Sequence, residues 1–411
     1  MIRDLLLDAA FAPPDPAGAA MLRLSLLDLG ACIRAGADAP AVCAARALGR
    51  GDPAALADAI GLGRADAVRA AMVNATAGHA LDYDDTHFDH VGHVSTVVIP
   101  AALAVAQARA ADWPAFAAAT LAGAEAALRM GRWLGRAHYR LGFHQTATAG
   151  CFGATVAAGR LMDLDAAGLG HALGLAASRA AGLRAQFGTD GKPLNAGFAA
   201  AAGVECAMLA RAGACGGSDA LDGPEGYGAT HGGAAAAPDP SPRFHAVSHK
   251  LHACCHGLHA ALEAHRRADW PPTGRIEVRT NPRWLTVCAI PEPRTGLEGK
   301  FSYAHVLALA DAGRDTSDIA SFGDALVGDP ELARLRARVT VVGDVDLSDT
   351  EVVLGRGDRT ARFDIAQAMP HDELKARLLG KARTLAGDRA DRIAAAIDAS
   401  DLGAYAKSVL D

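Results

Sequence analysis

The 411-residue chain has few of the features that usually announce a function. Its eight cysteines form no CxxC pair and no finger-like group, which argues against a disulfide scaffold or a structural zinc site and for free thiols in a reducing compartment. Basic residues are not in excess. The formal net charge of -6 argues against a protein whose main partner is nucleic acid, because phosphate binding needs a net basic face. Only 21% of residues are charged and 51% are apolar, the balance of a folded globular chain. The first twenty residues lack the basic, apolar and small-residue order of an export signal, and apolar stretches such as 97–106 are too short to span about 30 Å of hydrocarbon. A cytoplasmic protein with no membrane role is expected. GxGxxG after a strand, GxxxxGK[ST], HExxH and GxSxG are all missing, so nucleotide, zinc-protease and serine-hydrolase readings lose their simplest support.

What is present divides into two regions. Residues 17–213 are rich in Ala, Leu and Gly, and segments 18–34, 52–60, 65–81, 97–111, 115–136, 147–162, 165–183 and 196–212 each read as one helix. Small residues on several faces of these segments predict close packing and burial on more than one side. Residues 213–242 carry no sustained period and read as a linker. Beyond it, 274–282, 337–347 and 351–366 show β-branched alternation with turns between them, interleaved with helices at 250–265 and 301–312. An amphipathic segment follows residue 386. The expected architecture is mostly α: a helical domain over 1–240, completed by a C-terminal helix within 386–411, and a smaller α+β domain over 241–385.

Five polar clusters interrupt the apolar pattern. HALDYDDTHFDHVGHVS (79–95) concentrates carboxylates and imidazoles, groups that share or exchange charge near neutral pH; it suits proton transfer, metal ligation or simply a solvated interhelical loop. GFHQTATAG (142–150) sets His144 beside a helix start whose N–H groups could hold a carboxylate, although helix capping alone would explain its threonines. TDGKPLNAG (189–197) places Lys192 in a Gly/Pro turn, either solvated or turned inward to neutralise an anion. KLHACCHGLH (250–259) lacks standard metal-ligand spacing and reads equally as buried thiols with polar neighbours. RTGLEGKFSYAH (294–305) suits an anion pocket or an ordinary polar loop.

Taken in order, NATAGHALDYDDTH (74–87), His93-Val-Ser95 before IPAAL (99–103), GFHQTATAG, GKPLNAGFAAAAGVECAMLARAG (191–213), KLHACCHGLHAALEA (250–264) and LEGKFSYAHVLALA (297–310) resemble the signature blocks of the MmgE/PrpD family. The resemblance covers most of residues 60–312. It implies an all-helical domain with a smaller α+β domain, a homodimer, and a cofactor-independent lyase or isomerase without a catalytic metal. The substrate would be a small anionic polycarboxylate. Members include 2-methylcitrate dehydratase, iminodisuccinate epimerase and cis-aconitate decarboxylase, so dehydration, epimerisation and decarboxylation all remain open.

Carried over by position, Asp82, Thr86, His93, His144 and Lys192 are the site candidates. In the mechanism this suggests, His93 oriented by Asp82 moves the proton, Lys192 stabilises the enolate-like charge, and His144 serves the leaving group or the opposite face. His93 and His144 are interchangeable at this level. Thr86, Lys250, Arg294, Lys300 and His305 would bind substrate. Two readings compete: a metal-dependent enzyme using the 82–93 Asp/His cluster, and a catalytically silent helical scaffold.

Overall fold

The computed structural model describes residues 1–233, 239–271 and 273–411. Within them the chain separates into two compact units, Met1–His249 with Leu378–Asp411, and Lys250–Arg377. The boundaries expected at 240 and 385 fall before the first of these switches and after the second. Residues 234–238 of the expected linker lie outside the described residues; its described part includes a short helix, Tyr227–His231.

The first unit is almost wholly helical. Its centre is built by the helices Ala67–His79, Ser95–Ala108, Trp113–Arg140, Gln145–Leu161 and Gly191–Arg211. Two of them start on an aspartate that accepts a hydrogen bond from the first turn, Asp66 and Asp112, and Asp165 does the same for the neighbouring helix Ala166–Ala177. Close packing follows from small residues at the crossings. A Cβ added to Gly153 would stand 2.6 Å from the carbonyl oxygen of Gly123, and one added to Gly123 would stand 2.5 Å from that of Gly153. Two backbones therefore touch where the long helices cross, and no larger residue fits either position.

Two helices, Pro16–Gly36 and Gly191–Arg211, are long and apolar enough to cross a membrane by length and composition, yet 67% of each apolar window is buried inside the unit. Arg389–Ala399 and Leu402–Leu410 belong to this unit, and Tyr405 of the second donates its hydroxyl to the Leu26 carbonyl.

Several sequence expectations are corrected here. Residues 52–60 are not helical: strand β1 (Ala57–Ala59) turns back onto β2 (Gly63–Ala65). Asn74 holds this hairpin by accepting from the Ile60 N–H and donating to the Asp58 carbonyl, so tertiary hydrogen bonds and the positive-φ glycines Gly61 and Gly63 override the local helix propensity of Ala and Leu. The helix expected over 165–183 ends at Ala177. The one expected over 196–212 begins earlier, at Gly191, because Pro193 is tolerated in a first turn where N–H groups have no intrahelical partner. Lys192 is therefore helical and not part of a Gly/Pro turn. The helix expected over 115–136 spans Trp113–Arg140 and kinks at Gly135, whose φ is 67°.

The second unit holds a four-stranded sheet in the order β4-β3-β5-β6, formed by β3 (Ile276–Thr280), β4 (Val339–Gly343), β5 (Glu351–Arg356) and β6 (Arg359–Asp364). β3 pairs parallel with β4 and antiparallel with β5, and β5–β6 is a hairpin. β3 alternates buried and exposed residues along its length, as expected of a strand with one face on the core. The helix expected over 250–265 is confined to His259–Arg267. A single 3-10 turn, His256–Leu258, leads into it, and before that turn the chain is irregular because its N–H groups are used elsewhere: Ala253 donates to the Thr316 carbonyl and Cys255 to the Lys300 carbonyl.

Candidate active site

The site is built on a loop that the helical scaffold holds in an unfavourable shape. After the helix Ala67–His79 the chain runs through Asp82, Tyr83, Asp84 and Asp85 and returns at His93 to enter the helix Ser95–Ala108. Two non-glycine residues of this loop, Asp82 and Val91, have φ of 51° and 54°. Left-handed backbone is tolerable for Asp and costly for β-branched Val, and such strain persists only where the surroundings over-determine it.

Those surroundings are visible. Thr86 and Ser248 exchange backbone hydrogen bonds, the His93 N–H donates to Thr146 Oγ1, and Lys381 donates to the Tyr83 carbonyl at 2.6 Å. Lys381 also sits 2.6 Å from Asp28 and over the Tyr83 ring. A fully buried ammonium from the helix His371–Ala386 thus pins the peptide between Asp82 and Asp84.

The loop sends its carboxylates in different directions. Asp84 points inward and is fully buried, with His79 Nδ1 3.0 Å from its oxygens and His93 Nδ1 3.0 Å from Oδ2. Burial alone would raise the pKa of Asp84. The two imidazoles outweigh it and hold the group well below the usual carboxylate range. Asp82 points the other way: its Oδ1 lies 3.5 Å from His93 Nε2 and 2.7 Å from Lys192 Nζ. The partner at His93 Nδ1 is therefore Asp84, and the expected orienting residue Asp82 stands at the opposite nitrogen. The physical reason is the left-handed residue itself, which reverses the chain so that Asp82 and Asp84 leave on different sides.

His144 completes the cluster. Its ring stacks on His79 at 5.7 Å between centroids, and His79 meets His93 edge-on at 4.5 Å. Burial, reinforced by the nearby Lys192 ammonium, holds His144 well below the ordinary imidazole pKa, so it is neutral. Phe187 covers one side, edge-on to His144 at 5.0 Å and 5.4 Å from Lys192 Nζ.

His93, Asp82, His144 and Lys192 are thus brought together, with Thr86 on the same loop. Lys250, Arg294, Lys300 and His305 belong to the second unit. There Lys250 is buried and Arg294 exposed, Lys300 Nζ lies 6.0 Å from the Phe322 ring centre, and the buried His305 faces Arg336 Nη1 at 3.3 Å. Burial and Arg336 push His305 down to about 4.

Three residues escaped the sequence reading. His79 and Asp84 lay inside the quoted cluster, but nothing in their spacing distinguished them from their neighbours. Asn195 reads as an ordinary residue of a helix start. The only signal for it is its position three residues after Lys192, on the same face of one helix. His79, Asp82, Asp84 and His93 offer donor atoms within 4.8 Å of one another, a set that could hold a cation. The Lys192 ammonium already supplies positive charge at Asp82.

Residues 4–238 match the model of the MmgE/PrpD N-terminal domain, and residues 252–400 match that of the MmgE/PrpD C-terminal domain. The chain is 34% identical to the cis-aconitate decarboxylase of Homo sapiens over 166 residues, 39% of this chain and 34% of that protein. It is 32% identical to the Mus musculus enzyme of the same name over 166 residues, and 31% identical to that of Aspergillus terreus over 153 residues, 31% of the latter. The matched stretch spans about a third of these relatives.

Proposed function

Because the chain belongs to the MmgE/PrpD family, we propose that it is a cofactor-independent lyase or isomerase that moves a proton at a carbon next to a carboxylate of a small di- or tricarboxylic acid. The observation that carries the reading is the continuous line Lys192–Asp82–His93–Asp84–His79, in which one imidazole lies between two carboxylates and an ammonium stands at the end.

A carbanion beside a carboxylate is too basic to form quickly in water, so the protein must supply a placed base and positive charge. An ionised Asp84 keeps the His93 proton on Nδ1 and leaves the Nε2 lone pair for the substrate. Nε2 then removes the proton. As the electron pair spreads into the carboxylate, the substrate gains negative charge, and Lys192 offsets it from a site largely shielded from water. The roles of Thr86, Lys250, Arg294, Lys300 and His305 in holding distal carboxylates, and the homodimer, are parts of this same proposal. Exposed Phe198, Met208 and Leu209 on the helix Gly191–Arg211 are consistent with a covered face.

Two outcomes follow from the carbanion: loss of a β-hydroxyl gives a dehydratase, and reprotonation from the other side gives an epimerase. A cis-aconitate-type decarboxylase is the second reading, favoured by the names of the relatives above. Loss of carbon dioxide would generate the carbanion directly, and His93, in that reaction starting as the imidazolium held by Asp82 and Asp84, would give it the Nε2 proton.

The test is incubation in deuterated water with citrate, aconitate, methylcitrate and amino-succinate compounds, followed by mass spectrometry. Deuterium at a carbon next to a carboxylate is expected, and carbon dioxide release identifies the second reading. No exchange, elimination or decarboxylation with any of these acids would reject the proposal.

A further inference from the structure

Asn195 sits one helical turn after Lys192, and its side-chain nitrogen has two neighbours. Nδ2 lies 3.2 Å from the Leu183 carbonyl oxygen and 3.2 Å from His144 Nδ1. A carbonyl oxygen can only accept, so the Asn195 atom facing it is the amide nitrogen and not the amide oxygen. Both protons of that nitrogen are thereby assigned, one to Leu183 and one to His144. Because Asn195 donates to it, His144 Nδ1 must present a lone pair. In a neutral imidazole the single proton is then on Nε2.

The surrounding backbone makes this arrangement stiff. The Phe143–Leu183 bridge, the His144 N–H to Gly182 carbonyl bond and the Arg184 N–H to Gly142 carbonyl bond clamp the segment carrying His144 against the one carrying the Leu183 carbonyl. Gly182 lets the two approach: its φ is 144°, and a Cβ there would stand 2.8 Å from Ala147 Cβ and 3.5 Å from Asn195 Cγ. His144 and Asn195 are both buried. Moving the ring proton to Nδ1 would set an N–H against the amide N–H, leaving two buried donors unsatisfied.

We propose that Asn195 is a positioning residue that locks His144 in its neutral Nε2–H form, making His144 a hydrogen-bond donor to a substrate oxygen and not the base. The inference rests on the proton-transfer reading above and deepens it. His93, with its Nδ1 on Asp84, offers a lone pair at Nε2; His144, with its Nδ1 capped by Asn195, offers a proton at Nε2. The two imidazoles are set to opposite tautomeric duties by their second neighbours, which removes the ambiguity between them. A neutral imidazole is a poor acid but a good donor to a carboxylate oxygen that becomes enolate-like, because it need not give its proton away.

The test uses the full chain with 15N-labelled histidine, His144 being assigned by the signals lost in His144→Gln. Long-range 15N–1H correlation should show a lone-pair nitrogen at Nδ1 and a protonated nitrogen at Nε2. Asn195→Ala should let both tautomers appear and lower kcat by about tenfold with KM little changed, as expected when a donor to the transition state is partly misdirected. Asn195→Asp should move the proton to Nδ1, because a carboxylate accepts from Nδ1–H. A wild-type His144 protonated at Nδ1, or an Asn195→Ala variant with unchanged tautomer and kcat, would overturn the lock. Should no polycarboxylate be turned over, the proton-transfer reading falls while the nitrogen spectrum still decides the lock.

Discussion

Lys192 Nζ and Asp82 Oδ1 lie 2.7 Å apart, and two local devices bring them there: a proline-tolerant first helical turn carries the lysine, and a left-handed residue carries the aspartate. The pair is half-buried, so its contribution to stability is about 1 kcal/mol or less. Its effect on turnover is expected to be much larger. Lys192→Met should melt within a few degrees of the wild type and lose about 100- to 1000-fold in kcat, the cost of removing one preorganised charge from a shielded site. Lys192→Arg should recover little, since a planar fork does not replace a point charge. Parallel calorimetry and kinetics check this, and a Met variant with normal turnover would show the lysine to be uninvolved.

Asp84→Asn replaces an acceptor for two imidazoles by a group with one acceptor oxygen and one donor nitrogen. At least one of His79 and His93 then faces an N–H and must change tautomer. Turnover should fall about 100- to 10,000-fold, the range spanned by loss of general base catalysis, and His93→Ala should fall by about a hundredfold or more. Substrate screens with both variants, together with circular dichroism to confirm folding, decide it. Rates near wild type in the two variants are incompatible with His93 as the base.

The pH dependence of stability has a worked sign. Burial pushes His90 and His249 down to about 3 and His87 and His138 down to about 4, so these rings contribute stability above the unfolded value and lose it as pH falls through 4 to 3. Asp85 runs the other way. Burial raises it to about 7, and its contribution, complete below the ordinary carboxylate value, is lost as pH rises toward 7. With His305, also held down at about 4, five imidazoles oppose Asp85 and the likewise raised Glu125, so the melting temperature should drop as pH is lowered from 6.5 to 4. His90→Phe, which keeps a ring in the space beside Gly131, should flatten that slope. A melting temperature that rises on acidification would refute the balance.

Lys381 and Asp28 are both about 1% exposed and 2.6 Å apart. Removing one partner strands a buried charge, so Lys381→Met should cost about 3–5 kcal/mol in denaturant unfolding. The paired change Lys381→Met with Asp28→Leu should restore much of it. Equal destabilisation by the single and paired variants would mean that lost packing, not the stranded charge, sets the cost.

Excess chelator should leave turnover unchanged if Lys192 supplies the positive charge at Asp82. Loss of activity that zinc, iron or magnesium restores would instead assign the His79, Asp82, Asp84 and His93 donor set to a metal.

Local sequence was sufficient for features that depend on local periodicity. The Ala- and Leu-rich helices from Ala67 onward, the β5–β6 hairpin and the amphipathic C-terminal helix were legible because burial patterns repeat every 3.6 or 2 residues. The resemblance to the family's ordered blocks put Asp82, His93, His144 and Lys192 forward as candidates, and the fold brings their side chains together. Local sequence failed where distant groups compete for the backbone: Asn74 turns 57–65 into a hairpin, and Thr316 and Lys300 hold 253–255 out of a helix. It also could not say which nitrogen of each histidine carries the proton. That depends on Asp84 beside His93 and on Asn195 beside His144, 51 residues apart in sequence. A tautomer is set by the atom within hydrogen-bonding distance, and only the folded chain decides which atom that is.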